Sequence, residues 1–102
     1  MTPAEHHKSR VGRLGCVVCH FAHGIPDTTA QVHHVAEGSG LRSDFAIASL
    51  CFEHHQGASG FHRLGTGPFC RLYRVPGESE YGLLVWTAEL LARDDLRRSG
   101  PG

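Results

Sequence analysis

The 102-residue sequence has no long apolar run, no net charge, a single lysine, a single methionine and no asparagine. The first absence excludes a membrane-spanning helix, which needs about 20 consecutive apolar residues. The second separates the chain from broadly basic, histone-like binders, whose grip on nucleic acid comes from excess cation. The opening "MTPAEHHKSR" has neither an apolar core nor a small-residue cleavage site, so nothing in it reads as an export signal. The expected compartment is the cytoplasm, where cysteines serve as metal ligands or thiols more often than as disulfide partners.

What is present is unusual in one respect. Nine histidines in so short a chain form a store of metal ligands and proton carriers. Nine of the ten Lys and Arg residues are arginine, the side chain whose fork matches phosphate oxygens. Residues 1–74 carry seven basic against five acidic side chains, and residues 75–102 carry three against five. A chain of this length makes one modest core, which a metal staple would help to hold.

Thr2, Pro3 and Glu5 form a capping-box pattern, and a helix is expected over 3–13, closed by Gly15. "CVVC" reads as a tight turn and "HFAHGIPDTT" as a polar loop. "AQVHHVAEG" (30–38) and "DFAIASLC" (44–51) read as two paired strands around a "GSGLRS" loop, the second alternating in burial. "FEHHQGA" is a short helix, and the glycine-punctuated run after it is expected to be irregular apart from a turn of helix near 69–73. A long helix over 78–98 is expected to place acids in its first turn and an apolar stripe at Leu83, Leu84, Ala88 and Leu91. The chain is thus one α+β domain over 1–98, with residues 99–102 a disordered tail.

Cys16 and Cys19 are spaced C-x-x-C, and Cys51 and His54 repeat the spacing as C-x-x-H after a 31-residue gap. Two such knuckles supply four ligands for tetrahedral zinc, a closed structural set with no open position. Cys70 has no partner at ligand spacing and reads as a buried thiol. "CVVCH" also matches the c-type haem signature. That reading requires export and a second histidine ligand, since the only methionine is the initiator.

His55 follows His54 directly, and adjacent residues on a helix point about 100° apart. His55 therefore faces away from the zinc. If the knuckles draw strand and helix together, His33, His34 and His55 meet in a ββα-metal site. Phosphodiester hydrolysis needs an activated water, charge stabilisation and help for the leaving oxygen. That assigns His34 as general base, His33 and His55 as ligands of a divalent ion, and His62 as candidate third ligand. Residues 33 and 34 face opposite sides of a regular strand, so both serve one centre only if the strand end is bulged or irregular. The non-catalytic alternative is a zinc-ribbon module that binds nucleic acid or protein and needs only the first four ligands.

Cys16/Cys19, the pair His33/His34, and Cys51/His54 followed by His55 resemble a zinc-stitched HNH (His-Me finger) endonuclease. More narrowly, "VHHVAEGSGLRSD", "LCFEHHQGASGFHRLG" and "FCRLY" are similar to the phage recombination-enhancement nucleases, which cut DNA in dependence on the RecA filament. The resemblance covers roughly residues 10–75. It implies a small ββα-metal domain with flanking helices, His34 as base, and a catalytic Mg2+ or other divalent cation beside the structural Zn2+. The partners it implies are DNA and a recombinase filament or another phage or host DNA-processing protein, in the cytoplasm of a bacterial host. The asparagine that orients the base in HNH proteins has no counterpart; Asp44 is the nearest polar candidate, with Ser43 another. Arg42 and Arg63 flank the site as the expected phosphate contacts.

Overall fold

The computed structural model describes residues 1–36, 40 and 42–100. Helix α1 (Pro3–Gly12) starts at the expected capping box: Glu5 N–H donates to Thr2 Oγ1 and Thr2 N–H donates to the Glu5 carboxylate, each at 3.1 Å. Its buried Val11 meets the sheet, where Ser49 Oγ donates to the Val11 carbonyl at 2.6 Å.

"CVVC" is not a tight turn but the start of a second helix, α2 (Val17–His23). Cys16 caps it, its Sγ accepting from Cys19 N–H at 3.4 Å. Val17 and Val18 carry the helix into the core, and left-handed Gly24 ends it. Burial of those two valines outweighs the polar look of the segment. Gly15 makes the entry possible. Its φ is +82°, and a Cβ there would sit 3.0 Å from the Thr28 nitrogen, which no other residue tolerates cheaply.

Strands β1 (Gln31–His34) and β2 (Ile47–Leu50) pair antiparallel, with His33 opposite Ala48 and His34 opposite Ile47. Residues 37–39 and 41, parts of the first expected strand and of the loop after it, lie outside the described residues. β2 does not alternate as expected: all four residues are buried, because α1 packs against it as do α2 and the C-terminal helix. Helix α3 (Phe52–Gln56) follows at once. The stretch expected to be irregular forms two short helices, α4 (Phe61–Leu64) and α5 (Thr66–Leu72).

A 3-10 turn (Pro76–Glu78) leads into α6 (Tyr81–Ser99), which includes the first residue of the expected tail; residues 101 and 102 lie outside the described residues. The apolar face of α6 runs through Leu83, Trp86 and Leu90; Ala88 is exposed and Leu84 and Leu91 are half-buried. The i, i+3, i+7 spacing is helical, but the stripe is centred on Trp86, whose ring stacks on Phe21 at 5.1 Å. The acids expected in its first turn precede the helix instead. The result is a small α+β structure around a two-stranded sheet. No described helix is long and apolar enough to cross a membrane.

Candidate metal centres

Cys16 and Cys19 at the start of α2 meet Cys51, the N-cap of α3, and His54 on α3, with all four ligand atoms within 4.8 Å of one another. A zinc tetrahedron with ordinary bond lengths has sulfur–sulfur edges of about 3.8 Å and sulfur–nitrogen edges of about 3.6 Å. Here Cys19 Sγ and Cys51 Sγ are 3.8 Å apart. The three sulfurs lie 3.5, 3.5 and 3.2 Å from His54 Nδ1. Burial pushes the Cys16 thiol up to about 12, so a thiolate there needs a cation beside it. The donors and their spacing fit a structural metal such as zinc, with no ligand position left over. Because Cys16 and Cys19 belong to this cluster and His20 faces Arg93 at 3.3 Å, the haem pattern in "CVVCH" has no structural counterpart.

A second group forms from His33 on β1, His55 on α3 and His62 on α4, again with ligand atoms within 4.8 Å. The seven-residue step from His55 to His62 is not two turns of one helix. The chain breaks after α3 and folds back at Gly60, where a Cβ would lie 2.6 Å from the Glu53 carbonyl oxygen. That close approach brings His62 Nε2 to 3.0 Å from His55 Nε2.

Outer partners orient two of the rings. Glu80, just before α6, lies 2.7 Å from His33 Nε2, both side chains being buried. An ionised carboxylate only accepts, so His33 carries its hydrogen on Nε2 and its lone pair on Nδ1. Gln31 Oε1 accepts from His55 Nδ1 at 2.8 Å, which leaves the His55 Nε2 lone pair facing His62. Burial lowers His33 to about 4, with His62 and His34 adding to it. His55 is likewise lowered to about 4, by burial, then His33 and His62. Neutral imidazole is the ligand form. Three histidines, two of them with oriented rings, are a donor set that leaves positions on an ion for water or substrate.

His34 lies outside this group. The strand is regular through it, and Val35 N–H continues the ladder to the Ala46 carbonyl at 2.8 Å. His33 and His34 therefore point to opposite sides. His34 Nε2 donates to Asp44 Oδ1 at 2.9 Å. That bond, more than the nearby Lys8, holds the Asp44 carboxyl below the usual carboxylate range. Ser43 Oγ accepts from Phe45 N–H. Arg42 is exposed, as is Arg63, next to His62 on α4.

Sequence reasoning missed Glu80 and Gln31. Gln31 carried a signal, since residues two apart on a strand share a face and His33 was already a candidate. Glu80 carried none, because its contact spans 47 positions.

A two-stranded α+β scaffold with one closed four-ligand cluster and one open histidine cluster is the class that these observations define. The chain matches the family model described as recombination enhancement, RecA-dependent nuclease over residues 4–92, and it belongs to that family. No curated protein and no solved structure matches it. The family's name marks its members as nucleases of recombination, and the matched span contains every residue of both clusters.

Proposed function

We propose that residues 1–98 act as one metal-dependent endonuclease domain of the ββα-metal (HNH) type that hydrolyses DNA phosphodiester bonds. The observation that carries this reading is the cluster of His33, His55 and His62, with the His34–Asp44 pair next in sequence on the opposite face of β1. His34 serves as base only if the end of β1 turns its ring toward the ion when substrate binds. Because Asp44 accepts from His34 Nε2–H, the lone pair of His34 is on Nδ1, free to take a proton from the attacking water. Asp44 fills the place of the orienting asparagine. A divalent ion held by the three histidines would polarise the phosphate and stabilise the leaving oxygen. Imidazole donors favour a transition ion such as manganese or zinc over magnesium. Glu80 and Gln31 keep the ligand rings aimed, and Arg63 and Arg42 supply charge for the substrate's phosphates. The cysteine cluster ties α2 to α3 and so holds His55 against β1.

A non-catalytic zinc module would need the cysteine cluster alone and would leave the second cluster, with its buried Glu80, without a role. The test is plasmid nicking in manganese or magnesium by the zinc-loaded protein. His34→Ala is expected to lower the rate by about 10²–10⁴-fold while keeping its zinc. Nicking at the original rate by a folded His34→Ala protein would end the mechanism.

A further inference from the structure

At the far end of α6 from Glu80, a cavity of about 300 Å3 opens between the end of α1, the Pro26–Asp27 loop and the last turns of α6. Arg10, Arg13, Arg93, Arg97 and Arg98 line it, against the two acids Asp27 and Asp94. In a chain of zero formal charge, more than half of the arginines thus meet at one place. Asp94 is buried and accepts from Arg97 Nη2 at 2.6 Å and from Arg98 Nε at 2.8 Å, with Arg10 at 3.9 Å. Arg10 also reaches Asp95 at 2.6 Å, and Arg93 pairs with Glu89. Arg13 makes no ion pair among the described residues.

Joining α1 to α6 requires only Arg10 with its two aspartates. Arg97 and Arg98 share the single Asp94 carboxylate and Arg13 faces no acid of its own among the described residues, so positive charge is left over that an anion would offset. Each carries five N–H donors, of which Asp94 uses one on Arg97 and one on Arg98, so fixed forks are left for phosphate oxygens. Thirteen to seventeen residues separate Glu80 from Arg93 and Arg97, about 20–25 Å along a helix. That span corresponds to about six to eight base pairs of duplex.

We propose that this arginine cavity is a second phosphate site, which holds the DNA backbone about six to eight base pairs from the histidine centre. Its chemistry would also suit a free polyphosphate. The choice of DNA rests on the nuclease reading above. Such a site gives a neutral protein a second point of grip on its substrate.

The test is fluorescence anisotropy of the zinc-loaded full chain, without added divalent ion, on DNA hairpins with stems of about 20 and about 5 base pairs, set by the same spacing. Arg13→Ala with Arg97→Ala is expected to raise Kd for the long stem by about tenfold or more and to lower the slope of log affinity against log salt by about two. The short stem, which cannot span both sites, should be unaffected. Arg13→Ala alone, at an exposed position, keeps the fold and should lower the slope by about one. Unchanged long-stem binding overturns the proposal. So does an equal loss on both stems, or a variant that loses inorganic tripolyphosphate but holds the long stem as before. Arginine-dependent binding by a protein that never cuts would end the nuclease reading and leave this site standing. Cutting by a protein whose arginine variants bind normally would do the reverse.

Discussion

Replacing Glu80 by glutamine keeps the side chain's size and exchanges one oxygen for an amide nitrogen. In the protein as it stands, Glu80 and His33 are 5% and 4% exposed and 2.7 Å apart, so solvent does little to screen their bond. Charge-assisted hydrogen bonds are about twice as strong as neutral ones. An amide can also turn its NH2 toward Nε2, which would favour the other tautomer of His33 and move the lone pair off Nδ1. Outer partners of this kind carry about 10–100-fold in metal affinity, or about 1.4–2.7 kcal/mol. The loss should fall near the upper end, because both groups are buried. Calorimetric titration of manganese into zinc-loaded Glu80→Gln protein measures it, with zinc content and thermal midpoint as controls for the scaffold. Manganese affinity equal to that of the unmodified chain, in a folded protein, would show that Glu80 does not position His33.

Three further outcomes are expected. Cys51→Ala should release zinc and uncouple α3 from α2, because one helix end then has no anchor; a cooperative thermal transition surviving at its original midpoint in excess chelator would contradict this. Asp44→Ala should slow plasmid nicking by about 10–100-fold, taking the scale of outer hydrogen-bond partners, whereas Asp44→Asn should keep most of the rate, since its amide oxygen still accepts from His34; equal rates for the two variants would argue against the orienting role. Hydrogen bonds from Arg98 and Arg97 hold the Asp94 carboxyl below the usual carboxylate range. A depressed carboxyl stabilises the fold above its unfolded value, about 3.9, and that contribution is lost as pH falls through the folded value. The difference in urea midpoint between the native chain and Asp94→Asn should therefore shrink below about pH 4, a difference that cancels any loss of zinc common to both.

Local spacing was the legible part of the sequence. Cys16/Cys19 and Cys51/His54 announce one cluster because two residues between ligands is what a short turn or helix start imposes. His54 and His55 could be sent to different places because a helix turns them apart. What could not be read depends on packing between distant segments. Val17 and Val18 make "CVVC" helical only because a core awaits them, and β2 is buried on both faces because three helices cover it. The fold-back at Gly60, which joins His62 to His55, depends on contact with a carbonyl that no periodicity reveals. Glu80 was read as a helix-dipole acid, and only the closing of the chain brings it to His33.

Helix α3 has five residues, Phe52–Gln56, and two consecutive ones belong to separate clusters. One inserted or deleted residue there would rotate every later side chain by about 100° and misdirect ligands of both centres in a single event. Its length is thus far less free to drift than its composition. Phe52, 61% exposed, is the position where exchange should be tolerated most readily, and a library that varies α3 should recover diversity there while returning no change in residue count.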